Sequence, residues 1–297
     1  GGEVRSNTPR YVGLMSRIYA AQGLYVFVTD NPKFTNTSTI FIWSFLTYIL
    51  GLSGGDYFTS SHGAPQKQSD KILAQDGAQY LPPLYVRIVE HLYDILGEIE
   101  TKGYTIKLAA VEDPHLLFHL TYPRMAKLYS NYLRKGPASE AAIKMIQEAT
   151  AAGLRLKLDF FGGAGGKTIS SIFDELKLSG VFEGGLMRQE EDPFFHNIGF
   201  RVSQKKGSSE FEVVHDSVDA SLPVVVKSAG YDKLLADAPD GQMVFNVDPD
   251  SDRFVVGQFV PMTEKAQLEK WGINTLTMGD RLFALYSPNQ YFLMLAE

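Results

Sequence analysis

The chain has 297 residues, 44% hydrophobic, 21% charged and 12% aromatic, a globular composition that excludes collagen-like, fibrous and disordered classes. Its 28 basic and 34 acidic residues give a net charge of −6, so the basic excess of a non-specific nucleic-acid binder is missing and no nucleic-acid partner is expected. Cysteine is absent, which excludes a disulfide framework, thiolate metal sites and a cysteine nucleophile.

Domains of about 100–200 residues make two the natural expectation. From Pro9 to Gln22, apolar residues at Val12, Met15, Ile18 and Tyr19 follow a helical rhythm that Gly23 stops. Leu24 to Val28 is a short apolar run that suits a strand buried on both faces. The most apolar stretch, Ile40 to Leu52, has thirteen residues where a membrane span needs about 20, so it reads as a buried helix and no membrane partner is expected. Gly54-Gly55 and a short segment, Asp56 to Thr59, follow. The alternation argues for a mostly parallel α/β sheet.

Helices are expected over Pro83 to Lys102, Tyr122 to Arg134 and Ser139 to Ala152. A strand from Leu154 to Phe161, a glycine turn and a helix from Thr168 to Leu178 open a second α/β unit. Lys205 to Ser209 reads as a loop, and Gln242 to Val247 as another apolar strand. The domain boundary falls near residue 120. The N-terminus has neither Met nor an apolar core for a signal peptide, and the C-terminus stops inside an apolar helical pattern, so the chain reads as a piece of a longer protein.

Three motifs weigh less than they promise. Gly162 to Thr168 (GGAGGKT) sits between strand and helix like a phosphate-cradling loop, but the first glycine of a P-loop would fall at position 161, which is Phe161. A structural turn that lets helix approach sheet is the better reading. Gly51 to Gly55 around Ser53 matches the G-x-S-x-G pattern of a serine hydrolase, but helix precedes it and strand follows, the reverse of a nucleophile elbow. His115 and His119 lack the glutamate of a zinc-protease helix and read as two histidines in a loop or on a helix surface.

The sharpest chemistry lies at Asn246-Val247-Asp248-Pro249-Asp250-Ser251-Asp252-Arg253, directly after an apolar strand. Asp248, Asp250 and Asp252 alternate, so in extended geometry they share one face. Three like charges repel, and a hard cation relieves them. A solvated acidic turn is the plain alternative. A calcium EF-loop fails, because counting from Asp248 its sixth position is Arg253 and its twelfth is Phe259. Magnesium suits the set better, and Arg253 would suit a phosphate neighbour. Ligands of α/β sheets bind beyond the carboxyl ends of strands, where this loop falls. A second cluster, Thr59-Ser60-Ser61-His62-Gly63-Ala64-Pro65, can present a serine hydroxyl, and Lys71 lies ten residues beyond Ser61.

Together these two clusters resemble the α-D-phosphohexomutase superfamily, which includes phosphoglucomutase and phosphomannomutase. Thr59-Ser60-Ser61-His62 is similar to its T-[AGS]-S-H-N-P phosphoserine loop, Asp248 to Arg253 to its D-x-D-x-D-R metal loop, and Lys71 to its downstream lysine. Weaker echoes are Gly1 to Arg5, Asp159 with Gly162 to Gly166, and Asp192 to Phe195. Gly63-Ala64-Pro65 replaces the family's N-P, the stretch from Ser61 to Asp248 is longer than usual, and the family's later sugar and phosphate loops are not found.

The resemblance implies two consecutive mixed/parallel-sheet α/β domains of the phosphohexomutase type, C-terminal domains missing. Residues 1–120 would carry the phosphoserine loop, 121–262 the metal loop, and 263–297 the start of a truncated third domain. It implies a cytoplasmic enzyme in which Ser61 rests as phosphoserine, with Mg²⁺ held by Ser61, Asp248, Asp250 and Asp252. Arg253 would hold the phosphoryl group, and Lys71 and His62 would shuttle the proton or steady the incoming oxygen. Phosphate would move between the 1- and 6-positions of a hexose phosphate through a hexose 1,6-bisphosphate. The alternative is a non-catalytic sugar-phosphate-binding relative or inactive fragment.

Overall fold

A computed structural model describes residues 1–215 and 217–296. In chain order the first part contains α1 (Thr8–Ala21), β1 (Val26–Thr29), α2 (Ile40–Ile49), β2 (Gly55–Thr59), β3 (Ser69–Leu73), α3 (Pro82–Lys102), β4 (Leu116–Leu120), α4 (Tyr122–Leu133) and α5 (Glu140–Ala151). There follow β5 (Lys157–Asp159), α6 (Gly165–Leu176), β6 (Leu186–Met187), β7 (Phe200–Gln204), β8 (Phe211–His215), α7 (Pro223–Ser228), α8 (Tyr231–Leu234) and β9 (Met243–Val247). Last come β10 (Phe254–Pro261), α9 (Lys265–Lys270), β11 (Asn274–Met278), β12 (Arg281–Tyr286) and α10 (Pro288–Ala296).

The largest sheet has six strands in the order β11-β12-β10-β9-β5-β6. Its β6, β5 and β9 run parallel, while β10, β12 and β11 join by antiparallel pairing. The sheet therefore continues past residue 262, since β11 and β12 complete it. In the first part, β1 pairs parallel with β4, and β2 with β3 forms an antiparallel hairpin. The fold is thus mixed α/β.

Apolar burial follows the sequence pattern closely. Ile40, Ile42 and Leu46 of α2 are 0–1% exposed and pack with Tyr57, Leu73, Leu120, Ile143 and Ile172 in one core. That core joins residues on both sides of position 120. A second core gathers Val244, Val255, Phe259 and Phe283 of the large sheet with Val225 and Tyr231. Among the described residues no helix is long and apolar enough to cross a membrane.

The elements depart from expectation in instructive places. The strand expected from Leu154 to Phe161 is only Lys157–Asp159. Leu154 is tied back to the Ala149 carbonyl at 2.9 Å, and Phe161 and Gly162 both take positive φ, so the chain is already turning. Helix α6 begins at Gly165, because the glycine turn itself forms its first coil. His115 and His119 are not on a helix: His119 lies in β4 and His115 just before it, with His115 Nδ1 2.9 Å from Asp113. Gly51 to Gly55 leads from α2 into β2, so Ser53 stands on no elbow. The loop at Lys205 to Ser209 is the turn of the β7–β8 hairpin.

Candidate active site

The acidic loop leaves the carboxyl end of β9 and returns as β10, beginning from the Val247–Phe254 pair. Pro249 and a left-handed Ser251 (φ +61°) tighten the turn. Ser251 N–H donates to the Asp248 carbonyl at 2.9 Å, and Arg253 N–H donates to Asp248 Oδ1 at 3.1 Å. Asp248, Asp250 and Asp252 each bring a carboxylate oxygen within 4.8 Å of the others. Asp248 and Asp250 are 4% and 0% exposed. Burial first, and then the neighbouring Asp250 and Asp252, push the Asp248 carboxyl well above the usual carboxylate range, with Arg253 opposing. Burial opposes ionisation of Asp252 too, but Lys71 and Arg253 outweigh it and hold that group low.

The glycine turn after β5 buttresses this loop. Ala164 N–H donates to the Pro249 carbonyl at 2.8 Å. A Cβ at position 163 would lie 2.6 Å from Pro249 Cα, so glycine is what allows turn and loop to touch. Beneath the loop, Asp159 and Asn246 are register partners on β5 and β9. Tyr231 bridges them, its hydroxyl 2.8 Å from Asp159 Oδ2 and in contact with Asn246 Oδ1. Arg188 meets the same Asp159 oxygen at 3.1 Å.

The serine loop leaves the carboxyl end of β2. Ser61 sits in the left-handed region (φ +51°), an arrangement that non-glycine residues adopt at a cost. Its N–H donates to Thr59 Oγ1 at 2.7 Å. Arg5, 1% exposed, collects the loop's carbonyls. It donates to Ser61 O at 3.0 Å, to Ala64 O at 3.4 Å and to Gly63 O, and it pairs with Glu3. Glu3 is fully buried and its carboxyl is pushed up to about 7, chiefly by that burial.

The two loops meet although 187 residues separate Ser61 from Asp248. Ser61 Oγ donates to Asp248 Oδ2 at 3.0 Å, and the Arg253 guanidinium contacts the same hydroxyl while pairing with Asp248 at 3.0 Å. Thr59 Oγ1 donates to Asp250 Oδ2 at 3.1 Å. Lys71 Nζ bridges Asp250 at 2.8 Å and Asp252 at 2.6 Å. Burial alone would lower the Lys71 ammonium, but these two carboxylates raise it above its ordinary value. The His62 imidazole lies beside the cluster and is lowered, first by burial and then by Arg253.

The acidic set fits a divalent cation. Asp250 Oδ1 is buried without a hydrogen-bond partner, an expensive state that a hard ion would relieve. Three carboxylates with few other donors match a small oxygen-seeking ion, and Ser61 Oγ lies within the same cluster.

Two pairs of contributors were not singled out as site residues in the sequence. Arg5 and Glu3 appeared only as a faint motif. Ser217 and Asp219 carried no signal, since they act across a long sequence gap. Ser217 Oγ and Val218 N–H donate to the His62 carbonyl at 3.0 and 2.9 Å, and Asp219 faces His62 Nε2 at 3.9 Å.

The class that this fold defines is the mixed α/β architecture of the phosphohexomutases. Among solved structures, the chain is similar to a protein of Thermus thermophilus provisionally assigned as a phosphomannomutase, with 19% identity and a TM-score of 0.54. That match covers 86% of this chain and 47% of the other. A phosphoglucomutase/phosphomannomutase family protein from Burkholderia thailandensis matches at 15% identity and a TM-score of 0.47, over 86% of this chain and 44% of the other. The chain thus spans less than half the length of these proteins. No protein-family model and no curated protein matches it.

Proposed function

We propose that this chain carries the phosphoserine and metal halves of a phosphohexomutase. In this reading it moves phosphate between the 1- and 6-positions of a hexose phosphate through a hexose 1,6-bisphosphate. The observation that carries the proposal is the meeting of Ser61 Oγ, Asp248 Oδ2 and the Arg253 guanidinium from distant parts of the chain. The similarity of fold supports it.

Phosphoryl transfer needs alignment and charge cancellation more than covalent help from the protein. With Ser61 phosphorylated, the bond from serine oxygen to phosphorus breaks as a sugar hydroxyl oxygen bonds to phosphorus. The hydroxyl proton leaves to a nearby base, and the serine oxygen regains a proton. The reverse transfer, from the other end of the bisphosphate, restores phosphoserine. Arg253 sits where it would pair with the phosphoryl oxygens. Lys71, kept cationic by Asp250 and Asp252, would steady negative charge on the moving group. His62, whose lowered basicity leaves it neutral near pH 7, is the better proton acceptor.

Asp248, Asp250 and Asp252, with an oxygen on Ser61, would hold Mg²⁺. When bound it would supply positive charge to the phosphoryl oxygens. We read residues 1–120 as the serine-loop unit and the rest as the acidic-loop unit, with 263–297 joined to the second through β11 and β12.

Incubating the chain with glucose 1,6-bisphosphate and Mg²⁺, followed by intact mass measurement, tests this. One added phosphoryl group, lost in Ser61→Ala, is the expected result. No adduct on the parent chain, or an adduct that survives Ser61→Ala, would overturn it.

A further inference from the structure

The three parallel strands of the large sheet end in one polar row. Asn246 is the penultimate residue of β9, Asp159 ends β5, and Arg188 directly follows β6, and these strands are neighbours in the order β9-β5-β6. Asp159 and Asn246 form the last paired rung between their strands. Beyond that rung the two segments part, one into the glycine turn and the other into the acidic loop, and the backbone ladder no longer joins them. Both side chains are fully buried, and so is Tyr231, which reaches the row from α8.

Asp159 ties the row in two directions. Its Oδ1 accepts the Phe161 N–H at 3.0 Å, where the chain enters the glycine turn. Its Oδ2 accepts the Tyr231 hydroxyl and Arg188. Arg188 also donates to the Ala229 carbonyl at 2.6 Å, two residues before Tyr231, so one guanidinium fixes both the carboxylate and the approach of the phenol. The Tyr231 ring packs in the core against Phe283, with centroids 5.5 Å apart, a place that phenylalanine would fill equally well. A hydroxyl buried there is costly unless it is paired, and its partners are Asp159 and Asn246. The hydroxyl has one proton for two neighbours, and Asn246, whose amide both donates and accepts, can supply the second.

We propose that Tyr231 is a positioning residue for the acidic loop. Through Asn246 it fixes the strand end two residues before Asp248. Through Asp159 it fixes the turn that sets Gly163 and Ala164 against Pro249. The carboxylates of Asp248, Asp250 and Asp252 are thereby held close before any cation arrives. The proposal rests on the functional reading above only in taking this loop as the cation site.

Amide exchange of residues 248–253 in the metal-free chain, followed by mass spectrometry, reads the loop directly, because the Ser251 and Arg253 N–H groups close it on Asp248. Tyr231→Phe should speed that exchange about tenfold and weaken Mg²⁺ binding, by calorimetry, about tenfold. Asn246→Leu should do the same, and the double variant should be no worse than the worse single one, because both break one bridge. Leu268→Ala opens a separate core shared with Val256 and Leu282. It should lower the urea midpoint further than Tyr231→Phe does and leave loop exchange and Mg²⁺ affinity at parent values. Unchanged loop exchange in Tyr231→Phe, additive effects in the double variant, or equal acceleration in Leu268→Ala would each overturn the proposal. A parent chain that binds no Mg²⁺ would overturn the cation reading instead, and the metal-free exchange comparison would still decide the role of Tyr231.

Discussion

The two loops of the site are held in opposite ways. The acidic loop is an extension of a six-stranded sheet, anchored by β9 and β10 on either side and buttressed from below by the glycine turn. The serine loop hangs from a two-stranded hairpin, which one parallel bridge between Gly2 and Phe58 and the side chain of Arg5 tie to the N-terminal segment. One loop is placed mainly by the strands on either side of it, the other by contacts from distant segments, with Arg5 collecting its carbonyls and Ser217 and Val218 holding that of His62. Three carboxylates thus crowd together on the loop of the large sheet, while Ser61 sits on the loop of the small hairpin.

Arg5→Met breaks the serine side and should have the largest effect. It leaves Glu3 buried without its partner and removes the Arg5 donor from the carbonyls of Ser61, Gly63 and Ala64, the last of which keeps the Lys67 N–H, a loss of about 3–5 kcal/mol in urea unfolding. If the acidic loop holds its shape without the serine loop, Mg²⁺ affinity by calorimetry should stay within about threefold of the parent, since the three aspartates are untouched and only the support of Ser61 is lost. A collapse of metal affinity in that variant would erase the contrast.

Gly163→Ala strikes the other side. Its Cβ would meet Pro249 backbone at 2.6 Å, where no side chain can rotate away. The expected cost is about 3 kcal/mol, again by urea unfolding, with metal affinity reduced as the acidic loop shifts. Asp250→Asn is milder for the fold but direct for the ion. It should weaken Mg²⁺ binding about 100-fold, or about 2.7 kcal/mol, with little change in circular dichroism.

The contrast between the loops also sets what could be read from the chain. The acidic loop was legible because its three aspartates alternate within six residues and an apolar strand runs directly into them. Helices α2, α4 and α5 were legible for the same local reason, the first as a continuous apolar run and the others by the glycines that stop them. Strands β3 and β4 were not, because SDKIL and LLFHL lack a clear period-two pattern and are defined by pairing with distant partners. Ser217 and Asp219 were invisible, because a hydrogen bond across 155 residues leaves no spacing to recognise. Helix α3 was legible as a helix, but its exposure was not, since an apolar stripe reads the same whether or not something covers it.

The smallest effect comes from Glu3, which turns the serine side into a pH-sensitive support. Its folded pKa of about 7 lies above the 4.5 of an ordinary glutamate, and burial is the main cause. A carboxyl raised in this way binds its proton more tightly in the folded chain. Its stabilising contribution is therefore complete below pH 4.5 and lost as pH rises through about 7. Between about pH 5 and 8 the loss should approach about 2 kcal/mol. Glu3→Gln keeps the shape and removes the proton equilibrium. The difference between parent and variant unfolding free energies should therefore change steadily across that window, in the variant's favour at high pH. A difference that is flat with pH would mean that Arg5 keeps Glu3 ionised throughout, and that the serine loop rests on a permanent ion pair.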